Sequence, residues 1–204
     1  MQHEAGGTGS LKPLCVELCA GTAGLSLALR KLGFSVCAVD YAQNRHAAKV
    51  PILVADLATE SGQRTVDAVL GSPALFFCHC APPCGAASRA RERHIPAPQL
   101  HGLPLPRPLR DATFPEGIPG LPPGDQARVD KANAVYAYVA RVAERLHRRG
   151  KLVLIENPLT SLMWATSFFR PLFRAGFRLL ELHHCMVGSG RKKRTGLLCN
   201  HDTF

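Results

Sequence analysis

Short apolar runs alternate with stretches of helical periodicity along this chain, and almost every run ends on an acid, a glycine turn or a proline. Leu14 to Leu18 is compact and apolar and leads into Cys19-Ala20-Gly21-Thr22-Ala23-Gly24. A helix is expected next, because Leu25, Ala28, Leu29 and Leu32 fall on one helical face before Gly33 stops it. Phe34 to Val39 reads as a second strand ending in Asp40, and Ile52 to Ala55 as a third ending in Asp56. Thr59 caps a helix to about Leu70, and Ala74 to Cys80 is a fourth strand. From Asp125 to about Arg149, Val129, Ala132, Val135 or Tyr136, Val139, Val142, Ala143 and Leu146 give one apolar face. Leu152 to Ile155 is a fifth strand running into Glu156-Asn157-Pro158, followed by a helix over about Leu162 to Ala175. Arg178 to His184 and Arg194 to Leu198 form a closing antiparallel pair, joined by a basic hairpin over 188–194. This alternation predicts an α/β fold: a doubly wound, mostly parallel seven-stranded sheet with helices on both faces and an antiparallel closing strand. Ligands in such sheets sit at the carboxyl ends of the strands.

Residues 1–13 are expected to be a flexible leader and 14–204 a single core. Nine of the sixteen prolines lie between Pro96 and Pro123, which makes about 92–124 a long irregular loop, read as a lid or a surface insertion. Apolar residues make up 46% and charged residues 20%, the balance of a folded chain rather than a disordered one. No apolar stretch is long enough for a membrane span, and the N-terminus lacks the basic and apolar regions of a signal peptide. The eight cysteines are therefore read as reduced thiols of an intracellular protein, nuclear in a eukaryote and otherwise cytoplasmic. Cys78-His79-Cys80 with Cys84, and His183-His184-Cys185, have only weak metal-ligand spacing, so no metal is assigned. A formal charge of +10 favours a polyanionic partner such as nucleic acid.

The chemistry gathers at the strand ends. Pro82-Pro83-Cys84 puts a thiol on a stiff turn, with Ser88, Arg89 and Arg91 following; such surroundings lower a thiol's pKa. The small residues of Glu17-Leu18-Cys19-Ala20-Gly21-x-x-Gly24, with Leu25 opening the helix, let a ligand approach the backbone closely. The stretch is neither G-x-G-x-x-G nor a phosphate loop, so a pyrophosphate is not favoured. Asp40, with Tyr41 after it, is placed to accept a ribose diol, and Asp56, followed by Leu57, to accept an adenine amino group. A nucleoside without phosphates and with an amino-acid tail fits, namely S-adenosylmethionine. Glu156 beside Cys84 on the neighbouring strand end makes a nucleophile and acid pair.

Pro82-Pro83-Cys84 with Ser88, Glu156-Asn157-Pro158, and the Glu17-to-Gly24 turn resemble the cytosine-C5 DNA methyltransferase family, in that family's order and over about residues 14–199. The resemblance implies a class I S-adenosylmethionine-dependent, Rossmann-like fold. It implies that Cys84 attacks C6 of a flipped cytosine and that Glu156, its pKa raised by burial, holds N3. Asn157 and Pro82 join the site, and Arg194 and Arg191 stand at the family's later basic motif, here Arg-Lys-Lys-Arg, with Ser88, Arg89, Arg91, Lys192 and Lys193 as further nucleic-acid contacts. Cys19 replaces the family's usual aromatic, and Phe204 closes the chain where the family continues into a target-recognition domain and a final helix. The readings are thus DNA cytosine-C5 methylation, RNA cytosine-C5 methylation, or an inactive core binding S-adenosylmethionine or nucleic acid, with a partner or separate domain for target recognition.

Overall fold

A computed structural model of the chain describes residues 11–92, 96, 106–188, 190 and 192–201. Seven strands form one sheet: β1 (Leu14–Leu18), β2 (Ser35–Asp40), β3 (Ile52–Val54), β4 (Leu75–Cys80), β5 (Leu152–Pro158), β6 (Arg178–His183) and β7 (Arg194–Cys199). Their order across the sheet is β3-β2-β1-β4-β5-β7-β6. All neighbours are parallel except β7, which runs antiparallel to β5 and β6. This is the doubly wound, mostly parallel seven-stranded α/β sheet with an antiparallel closing strand that the sequence predicts. The order reverses between β1 and β4, and at such a switch point the loops diverge and leave a crevice.

Among the described residues four α-helices accompany the sheet: α1 (Gly24–Lys31), α2 (Glu60–Leu70), α3 (Pro123–Arg148) and α4 (Arg170–Arg174). Thr59 accepts the Gly62 amide and caps α2. Pro123 opens the 26-residue α3, with Asp125 in its first turn and Arg145, His147 and Arg148 in its last, charges that match the helix dipole. Val16, Leu18, Cys78, Cys80, Val153 and Ile155 pack with α2, α3 and α4 in the main core. The opposite face of the sheet carries Glu17 and Ala38, and α1 is the α-helix packed there, with a small cluster of Ala20, Ala23, Ala38 and Val50. Coverage is therefore uneven, because the 41–51 connection contains no helix.

The expected helix over 162–175 is divided. A 3-10 turn spans Leu162–Ala165, Thr166 is extended at φ −67°, ψ 155°, and α4 starts afresh at Arg170. Pro171 lacks an N–H and would crowd the preceding turn of a continuous helix, so it is accommodated only at a new helix start. Another 3-10 turn, His184–Val187, stands between β6 and the basic segment expected as a simple hairpin.

Among the described residues no helix is long and apolar enough to cross a membrane.

Candidate active site

The turn after β1 is bent by three left-handed residues, Cys19 (φ 56°), Gly21 (φ 55°) and Ala23 (φ 52°). Only Gly21 adopts that region without steric cost; the other two hold strain of order 1 kcal/mol each, a kind that collects at ligand sites. Asp40 fastens the bend. Its Oδ2 accepts the Gly21 amide at 2.7 Å and its Oδ1 the Tyr41 amide at 2.8 Å, while Asn44 Nδ2 donates to the Gly21 carbonyl at 2.7 Å. Glu17, expected as a cofactor contact, meets α1 in this structure. Its Oε2 accepts both the amide (2.8 Å) and the hydroxyl (2.6 Å) of Ser26, so it caps the first turn of α1, which has no side-chain cap of its own.

These strand ends open onto a cavity of about 610 Å³, a size suited to a cofactor. Cys19, Gly21, Asp40 and Tyr41 wall one part, Asp56 and Leu57 the next, and Ala81, Pro83, Gly85 and Ala86 the part beside the thiol turn. Of the expected cofactor residues, Glu17, Leu18, Ala20, Gly24, Leu25 and Pro82 lie outside this wall. Leu18 is fully buried in the main core and Ala20 packs with α1, because a strand and a turn must also fill the layers behind them. The wall also holds residues that the sequence does not assign to the site: Asn44, Arg45 and His46, then Leu109, and Arg128, Lys131, Ala132 and Val135 of α3, the last two expected only as core. The last four follow helical spacing, a usable signal, but only the tertiary fold brings that stretch of α3 over the strand ends.

The electrostatics separate the acids. Lys131 Nζ reaches Asp56 Oδ2 at 2.8 Å and lies 5.3 Å from the centre of the Tyr41 ring. Burial works against ionising Asp56, but the bond from Lys131 and the Ala58 amide hold its carboxyl below the usual range. Cys19 is the reverse case. Burial, with the carboxylates of Asp40 and Asp56, pushes its thiol up to about 12, so it stays protonated and is no nucleophile.

The Pro-Pro-Cys turn is held by its carbonyls, since neither proline has an amide proton. Asn157 Nδ2 donates to the Pro82 carbonyl at 2.9 Å, and the Tyr136 hydroxyl donates to the Pro83 carbonyl at 2.6 Å. Cys84 follows, exposed, and its carbonyl accepts the amides of Ala87 (3.0 Å) and Ser88 (2.8 Å). Cys80 pairs with Ile155, so Glu156 lies on the strand end next to this turn. The Glu156 carboxylate is 24% exposed and takes a hydrogen bond from Lys193 Nζ at 3.1 Å. Asn157 is wholly buried, and its Oδ1 has no hydrogen-bond partner. His79, level with Leu154 on the face that carries Glu156, has a buried Nδ1 without a partner; burial lowers its pKa to about 4, against the attraction of Glu156.

The basic residues make contacts of several kinds within the chain. Arg91 donates to the carbonyls of Gly85 (2.8 Å) and Arg107 (3.0 Å), bracing the loop, while also touching the cavity. Arg89 pairs with Glu92 at 3.8 Å, and Ser88 Oγ accepts the Ala90 amide at 3.2 Å. Arg194 pairs with Glu181 of β6 and not with the acid of the site. Its neighbour Lys193 is the residue that reaches Glu156. Lys192 is exposed, and Arg191 lies outside the described residues, as do 93–95 and 97–105 of the proline-rich loop. The Cys78 and Cys80 sulfurs sit 3.8 Å apart in the core, and no metal-binding group of His, Cys, Asp and Glu is found among the described residues.

No family model and no curated protein matches this chain. Solved structures that it resembles include WbdD, at 14% identity and a TM-score of 0.43, covering 93% of this chain and 36% of that one. The chain thus spans about a third of WbdD's length. Others are the delta-N METTL16 MTase domain (12% identity, TM-score 0.45, 98% and 77% covered) and the glycopeptide N-methyltransferase MtfA complexed with S-adenosyl-homocysteine (14%, 0.40, 94% and 84%). Likenesses this loose add nothing to what the sheet topology already establishes.

Proposed function

We propose that the chain is an S-adenosylmethionine-dependent methyltransferase that modifies C5 of cytosine in DNA through a covalent bond from Cys84. The observation that carries this reading is the Pro82-Pro83-Cys84 turn: both proline carbonyls are clamped, the thiol after them is exposed, Glu156 stands on the neighbouring strand end, and a cofactor-sized cavity adjoins. The cavity's chemistry suits the cofactor. Asp40 and Asp56 offer acceptors for a ribose and an adenine amino group, Ala55 and Leu57 give apolar wall, and among the wall residues no Gly-rich phosphate cradle competes. Lys131 has to yield Asp56 for that contact. When bound, the cofactor supplies an electrophilic methyl group at C5.

The residues of the chain do the rest. Once Lys193 has left it, the Glu156 carboxylate takes up the proton that the Cys84 thiol loses; the thiolate adds to C6 of a cytosine turned out of its stack, Glu156 passes that proton to N3, and the ring electrons move to C5. After transfer, Glu156 recovers the N3 proton, water takes the C5 proton, its electron pair restores the C5=C6 bond, and Cys84 leaves C6 as the thiolate. Asn157 keeps the turn in place throughout. Lys193 holds the carboxylate until the base arrives and is then free for a phosphate.

The test is transfer of tritium-labelled methyl to a cytosine-containing duplex, with the matching RNA in parallel. The wild-type chain is expected to label DNA, and Cys84→Ser and Glu156→Gln to lose at least ~100-fold in rate while still binding S-adenosylhomocysteine. Label in RNA alone moves the substrate to RNA. Cofactor binding without label in either leaves a binding module and defeats the reading.

A further inference from the structure

Arg110 is only 1% exposed, an unusual place for a guanidinium. It lies in the proline-rich region, read from the sequence as loop. Its Nη1 donates to the Pro115 carbonyl at 2.7 Å and to Asn133 Oδ1 at 2.8 Å, its Nη2 to the Val129 carbonyl at 3.3 Å, and its Nε is buried without a partner. Among the described residues no carboxylate is hydrogen-bonded to it; Glu116 attracts it only through space. A buried cation held by neutral acceptors is a poor source of stability, because desolvation costs more than such bonds return. Its position points elsewhere. The guanidinium lies 5.3 Å from the centre of the Tyr136 ring, and the Tyr136 hydroxyl donates to the carbonyl of Pro83, the residue before Cys84.

We infer that Arg110 and Tyr136 form a positioning pair for the nucleophile turn, with Arg110 fixing the Tyr136 ring and Tyr136 fixing the Pro83 carbonyl. The pair rests on the reading of Cys84 as nucleophile, and it assigns the segment around Arg110 a role in the site. Asn133 Nδ2 extends the bracing to the Glu116 carbonyl (2.8 Å), and Glu116 Oε1 accepts the Ser167 amide (2.8 Å). The loop after β4, α3 and the segment after β5 are thus tied around one ring. Tyr136 also meets Phe169 edge-on at 6.3 Å, so the ring is gripped from two sides and its hydroxyl has little freedom to leave Pro83.

The test compares Tyr136→Phe, which keeps the ring and loses one bond, with Arg110→Met, which keeps volume and loses the charge. The first readout needs neither cofactor nor substrate. Cys84 and Cys185 are the two exposed cysteines among the described residues, so the ratio of their iodoacetamide labelling rates reports on the Cys84 turn with Cys185 as reference. Freed of its clamp, the turn samples more open positions, and the ratio is expected to rise about threefold or more in each variant, with no further rise in the double variant because both act along one path. The second readout is kinetic: kcat falls about tenfold or more while the dissociation constant for S-adenosylhomocysteine stays within twofold. A labelling ratio that does not rise in Tyr136→Phe, or variants whose effects simply add, overturns the pairing. A raised ratio in a chain that transfers methyl to no substrate keeps the pairing and removes the proposed reaction instead.

Discussion

Asp40 holds the turn after β1 through the Gly21 amide, and Asp40→Asn exchanges that charged acceptor for a neutral one. The variant is expected to weaken S-adenosylhomocysteine binding by roughly 10-fold or more, measured calorimetrically, with a smaller loss of thermal stability. His79 gives a pH signature. Burial lowers its pKa from 6.5 to about 4, so between those values the unfolded chain takes up a proton that the folded chain refuses. Its contribution to stability is fully present above the higher value and is lost progressively as pH falls toward the lower, by up to about 3 kcal/mol. Melting temperatures recorded across that window should fall with pH in the wild type and fall less in His79→Leu. At this scale the sequence locates the acids but not what they hold. Asp40 and Asp56 are legible as strand-end carboxylates because the strands before them are short, apolar and sharply bounded. That Lys131 occupies Asp56 and Lys193 occupies Glu156 is not legible, since those partners are 75 and 37 residues away and meet only in the fold.

Among the secondary-structure elements, α2 depends on Gly62, which the sequence shows only as one residue of a helix. A Cβ there would stand 2.1 Å from the Asp56 carbonyl oxygen, so the helix packs this closely against Asp56 only because the side chain is absent. Gly62→Ala is expected to cost about 1–3 kcal/mol and to weaken cofactor binding, because Asp56 must move. Gly85→Ala is the control: an added Cβ meets nothing within 4 Å, and the variant should melt within a degree or two of wild type, as ordinary surface changes do. Elements are legible wherever periodicity and caps agree. The first strand is expected and observed at Leu14–Leu18, and Thr59 marks the start of α2. The division of 162–175 is not legible, because its apolar residues fit a helix. Pro171 and the Thr166 hydroxyl, bonded to the Met163 carbonyl at 2.7 Å, impose the break.

For the molecule as a whole, the fold is the most legible property, because a pattern in which strands alternate with helices admits few other sheets. The uneven coverage of the two sheet faces is not legible: an absent helix over 41–51 leaves only a neutral-looking stretch of sequence. A charge of +10 belongs to this scale too. If the partner is a nucleic acid, affinity should drop steeply as salt rises from about 50 to about 200 mM, by tenfold or more, in fluorescence anisotropy with a labelled duplex. The central claim, that Cys84 forms a bond to cytosine C6, is tested most directly by covalent trapping. The protein is incubated with S-adenosylmethionine and a duplex containing 5-fluorocytosine, then run on a denaturing gel. Fluorine cannot leave C5 as a proton does, so the methylated adduct should persist as a shifted band that is absent from Cys84→Ala. A band that survives in Cys84→Ala, or no band from a chain that binds both cofactor and duplex, would contradict it.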